Sequence, residues 1–159
     1  MKTATVTELK KELTHHSNKE LMELCLRLSK FKKENKELLT YLLFEEENES
    51  LYILGIKEEI KEQFEVMNTK TYYFIKKSVR KILRSVKKYI RYSKKKETEI
   101  ELLLYFCFEL QKVTKPIIKN VTLQNIFDRQ VEMIKKAILK LHEDLQYDYN
   151  EELSRLIIK

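Results

Sequence analysis

The chain has 159 residues, of which 43% are hydrophobic and 36% charged, with a net charge of +7, one Gly, one Pro and no Trp. One Gly and one Pro leave almost no material for hairpin turns, Gly-rich phosphate loops or parallel-sheet connections, so Rossmann, P-loop, sandwich and barrel architectures are poor candidates. The apolar fraction is too high for disorder, and the length suits a single domain over 1–159 whose core needs neither disulfide nor metal.

In chain order, helical periodicity governs almost every window. Thr5 with Glu8 has the form of a capping box that opens a first helix through Val6, Leu9 and Leu13, ending near His15 and His16. Ser17 with Glu20 is a second capping box, and Leu21, Leu24, Cys25, Leu28 and Phe31 continue it for three turns. A third helix is expected from about Asn35 through Leu43, followed by a loop in the acidic run 45–50. A fourth starts near Ser50 and carries Ile53, Ile56, Ile60, Phe64 and Met67, with Gly55 inside it at a penalty of up to about 1 kcal/mol. The fifth, 69–93, is the longest and most amphipathic. The sixth, 97–113, is apolar on nearly every side, which predicts a central, buried helix that Pro116 stops. After a connector at 117–121, a seventh helix is expected from Thr122 to about Leu145 and an eighth over 150–158. Short links favour antiparallel neighbours, so the expected fold is all-α: seven or eight antiparallel helices as stacked hairpins, in a compact bundle or a short right-handed solenoid.

The segment 9–65, with LKKEL, SNKELMELCLRLSKFKKENKELLTYLLFEEENE and the amphipathic helix after it, resembles the start of small uncharacterised all-helical bacterial proteins. The resemblance implies an all-α bacterial chain and supplies no catalytic residue. The first residues lack the apolar stretch of a signal peptide. The longest apolar run, 102–108, is far short of the ~20 residues of a membrane span. Cys25 and Cys107 stand in apolar helical contexts without a CxxC, and read as reduced core residues. A soluble, cytoplasmic protein is expected.

One element carries the basicity. Between Val66 and Lys96 there are 12 basic residues and no acidic one, so against the total of +7 the rest of the chain holds a net −5. On a helical wheel the basic side chains from Lys76 to Lys95 fall in an arc of roughly 140°, and Tyr72, Ile75, Val79, Ile82, Leu83, Val86, Tyr89 and Ile90 fall in a separate arc of about 120°. Tyr73 lies in the middle of the basic arc, with Phe74 and Tyr92 at its far edge. Like charges at i, i+4 repel, and a face serving only solubility would intersperse Glu. The pattern therefore points to nucleic acid or another polyanion, met by Lys77, Arg80, Lys81, Arg84, Lys87, Lys88 and Arg91, with Tyr73 as a stacking residue. The competing expectation is a solvated face neutralised by Glu58, Glu59, Glu62, Glu65, Glu97, Glu99 or Glu101, in a scaffold for a protein partner or a homo-oligomer.

No catalytic, metal or cofactor constellation emerges. Glu12 with His15 is a single Glu-x-x-His pair where a di-iron bundle needs two. Glu59, Glu62 and Glu65 resemble the first half of the carboxylate set in helical nucleotide pyrophosphatases, whose second acidic motif is missing. The expectation is a non-enzymatic binding protein.

Overall fold

The computed structural model describes residues 1–113 and 116–157, which form eight α-helices and no strand, so the all-α expectation holds. The chain divides into two compact units, Met1–Phe44 and Glu45–Lys159.

In the first unit, both capping boxes close as the sequence predicts. Helix α1 (Val6–Leu13) begins where the Thr5 hydroxyl accepts the Glu8 N–H and the Glu8 carboxylate accepts the Thr5 N–H at 2.7 Å. Helix α2 (Asn18–Phe31) begins the same way at Ser17 and Glu20. The Thr5 N–H bond holds the Glu8 carboxyl below its ordinary range, and the Ser17 hydroxyl does the same for Glu20. Helix α3 (Lys33–Thr40) packs against α2, and the Asn35 side-chain amide donates to the Leu28 carbonyl at 2.9 Å.

The acidic run read as a loop is wound instead. Tyr41–Glu45 makes a π-helical turn and Glu46–Asn48 a 3-10 turn, after which the Asn48 side chain caps the Leu51 N–H and starts α4 (Glu49–Glu65). The polar residues there are cap and turn formers, and their acidity does not unwind the chain.

The second unit is built around α6 (Lys96–Gln111), which packs against α4, α5 (Tyr72–Ser93), α7 (Val121–Ile138) and α8 (Glu143–Ile157). Ile100, Leu102, Leu103, Phe106, Cys107 and Leu110 are fully buried, as an all-round apolar helix requires. Cross-links give the helix directions. Glu49 meets Ser93 and Tyr52 meets Tyr89, so α4 and α5 are antiparallel. Lys57 meets Glu101 and Phe64 meets Phe106, so α4 and α6 run the same way, and Glu101 with Tyr149 and Gln111 with Leu156 do the same for α6 and α8. The result is a bundle of antiparallel hairpins.

Several boundaries differ from expectation, most of all in α5, α7 and α8. Helix α5 begins at Tyr72 and not at 69, because the Thr71 hydroxyl is the one that caps, accepting the Phe74 N–H. Helix α7 starts one residue early on the Asn120 cap and ends at Ile138. There the Lys140 and Leu141 N–H groups turn back to Ala137 and Ile138 in a tightened last turn. The chain then restarts as α8 at Glu143, seven residues before the expected start, with the Gln146 side chain donating to the Leu141 carbonyl at 2.7 Å. The last expected position of the eighth helix, Ile158, lies outside the described residues.

Candidate nucleic-acid interface

Helix α5 is held from both ends and along its length. The Tyr72 hydroxyl donates to the Pro116 carbonyl at 3.2 Å. Ile75, Val79, Ile82 and Val86 are buried almost completely, which places the predicted apolar arc in the core. Near the C-terminus, the Tyr52 hydroxyl donates to the Tyr89 carbonyl at 3.0 Å and the Tyr89 hydroxyl donates to Glu59 at 2.8 Å. Lys94 closes the helix in the left-handed region at φ 60°, a conformation that glycine adopts more readily. The corner that follows is tied by one carboxylate: Glu49 accepts from the Ser93 hydroxyl, from the Thr98 hydroxyl at 2.5 Å and from Lys95 Nζ at 2.8 Å.

With that arc buried, the opposite arc faces water. Tyr73, Lys77, Arg80, Lys81, Arg84 and Arg91 are exposed, and Lys87 and Lys88 are half-exposed. Lys88 Nζ lies 4.3 Å from the Tyr89 ring centroid and 5.9 Å from that of Tyr92, so this cation spreads over an aromatic surface. Tyr92, placed by the sequence at the edge of the basic arc, is buried, and its ring backs Lys88 instead of facing solvent. Tyr73 is 66% exposed and rests edge-to-face on Phe74, with ring centroids 5.5 Å apart.

The seven carboxylates expected to neutralise the stripe are occupied elsewhere or point to solvent. Glu59 takes the Tyr89 hydroxyl and the Gln63 amide, Glu65 pairs with Lys61, Glu99 with Lys96 and Glu101 with Lys57, while Glu58, Glu62 and Glu97 are exposed. Among the described residues, none of Lys77, Arg80, Lys81, Arg84, Lys87 and Arg91 forms an ion pair. At the far end of the segment Lys95 pairs with Glu49 and Lys96 with Glu99. Sequence reasoning counted Lys95 in the stripe, since nothing local announces a carboxylate 46 residues away.

Elsewhere the chemistry is sparse. A cavity of about 570 Å³ opens between α4, α6 and α8 over Leu104, Tyr105 and Phe108. Its Lys57 is bound to Glu101 at 2.7 Å, and burial, with Glu101 beside it, pushes the nearby Tyr149 hydroxyl upward. Cys107 is buried, which pushes its thiol up to about 12, whereas Cys25 is exposed and not in the core as its apolar neighbours suggested. Among the described residues no group of three or more His, Cys, Asp or Glu is placed to hold a metal ion, and no helix is long and apolar enough to cross a membrane.

No family model matches the chain, and no curated protein or solved structure matches it either.

Proposed function

We propose that the protein acts by binding and not by catalysis, and that the outer flank of α5 takes hold of nucleic-acid phosphates without reading base sequence. The observation that supports this is a set of six side chains, Lys77, Arg80, Lys81, Arg84, Lys87 and Arg91, that reach solvent without an ion pair among the described residues. Lys88, stacked on Tyr89, extends the set. They lie in a segment devoid of acid, on a helix whose other face is fixed in the core, so the positive field is concentrated along one rigid edge. Contacts of this kind release counterions, and four to six engaged phosphates predict a slope of about −4 to −5 for log K against log salt on duplex DNA. The fluorescence anisotropy of a labelled oligonucleotide, titrated at several salt concentrations, measures it. The combined variant Arg80→Glu, Arg84→Glu and Arg91→Glu abolishes binding with an unchanged helical circular-dichroism spectrum. Undetectable binding at low salt, or a flat salt dependence, overturns the reading. The proposal places the protein in a reducing compartment such as the cytoplasm, where exposed Cys25 remains a thiol.

A specific observation favours a second reading, a scaffold that binds a protein or a further copy of itself. In the first unit Leu28, Phe31, Leu43 and Phe44 are each more than 60% exposed. Light scattering over a range of protein concentrations tests it: a mass of one chain throughout removes self-association.

A further inference from the structure

Along the open flank of α5, six residues recur at alternating spacings of four and three: Tyr73, Lys77, Arg80, Arg84, Lys87 and Arg91. The five spacings span 18 residues and average 3.6, the helical repeat itself, so the six stand in one nearly straight row instead of winding round the rod. At about 1.5 Å per residue the row is about 27 Å long. An aromatic heads it and five cations follow.

The head of the row has its own character. Tyr73 is 66% exposed, its hydroxyl has no hydrogen-bond partner among the described residues, and its only ring neighbour is Phe74, itself 39% exposed. A large aromatic face is therefore presented to water in line with the cations. It stands in the first turn of α5, at the positive end of the helix dipole, and no acidic side chain is present there to repel an anion.

Duplex and single strand differ in what they offer such a row. In a duplex the bases are stacked inside and each phosphate backbone winds away from a straight edge, so the ring would have no base to meet and the cations would engage only where a strand crosses them. A single strand is flexible enough to run along a straight line of cations and can unstack a base onto a ring, as in single-strand grooves that pair a positive track with an aromatic platform. We propose that the ligand of α5 is single-stranded nucleic acid, laid along Lys77, Arg80, Arg84, Lys87 and Arg91 with one base stacked on Tyr73. This rests on the phosphate-binding reading above and narrows it to one class of ligand.

The test uses the full chain with two fluorescein-labelled probes, a 20-nucleotide oligothymidine and a 20-base-pair duplex of mixed sequence, at matched salt. The oligothymidine is expected to bind more tightly. Tyr73→Ala should weaken its binding about 5- to 150-fold, the range for loss of one stacked base, and leave the duplex affinity unchanged, while Tyr73→Phe, which keeps the ring, restores it. The chain has no Trp, so Tyr73→Trp places a single indole at the head of the row. Its emission should be quenched by oligothymidine and not by duplex. If the duplex binds as tightly as the single strand, with Tyr73→Ala and the indole both silent, the single-strand assignment is overturned and phosphate binding stands. If neither probe binds at low salt, both fall together.

Discussion

Helices α5 and α6 are consecutive, antiparallel and joined by a two-residue link, yet they occupy opposite environments. Helix α6 is apolar on nearly all sides and packs against four other helices, so most of its circumference is committed to the core. Helix α5 divides its circumference: Ile75, Val79, Ile82 and Val86 go to the core, and the cations go to water. The difference shows where a small helical bundle can keep chemistry. A central helix has little surface to offer, whereas a peripheral helix with one buried face can hold the other in a fixed direction at little expense in stability.

The contrast breaks most sharply in the core of α6. Phe106→Ala, which also removes the ring contact with Phe64 at 5.7 Å, is expected to cost about 3–5 kcal/mol in denaturant unfolding, and a cost below 1 kcal/mol would mean that α6 is not central. On α5 itself, Ile82→Ala should cost about 2–5 kcal/mol by the same measurement, although its neighbour Lys81 is exposed. At the corner between the two helices, Glu49→Ala leaves the buried hydroxyls of Ser93 and Thr98 and the Lys95 ammonium short of an acceptor, for an expected loss of about 1–3 kcal/mol. Gly55→Ala goes the other way: a Cβ there meets nothing within 4 Å in mid-helix, so the midpoint of thermal unfolding should rise, by a stabilisation of about 0.5–1 kcal/mol. The smallest effect belongs to the open flank, where Lys81→Ala should shift stability by no more than about 0.5 kcal/mol. Equal losses at Ile82 and Lys81 would mean that α5 is rotated from the orientation described.

What the sequence disclosed follows from locality. The two capping boxes are four-residue patterns, and both form as written. The burial of α6 and the division of α5 are carried by periodicity within single helices, and both are legible for that reason. The acidic run at 45–50 misled because composition argued for a loop, while Asn48 acts there as a helix cap. The break after Ile138 misled because Leu141 and Leu145 continue the apolar period of α7 across a turn that the Gln146 amide stabilises. For the candidate interface, the direction of the cations could be read on a wheel. Their freedom from carboxylates could not, since it depends on Glu59 going to Tyr89 and Glu101 to Lys57 and Tyr149, pairings between helices that no local pattern specifies.

Three hydroxyl bonds, from Tyr52, Tyr72 and Tyr89, fasten α5 at residues 72 and 89, near its two ends. A rod secured in this way cannot roll about its axis, so its row of side chains keeps one bearing before any ligand arrives. Only the side chains themselves need be immobilised on association, and the backbone contributes no further loss of freedom. The amide protons of α5 should accordingly exchange slowly with solvent deuterium in the free protein, and by the same factor when an oligonucleotide is bound.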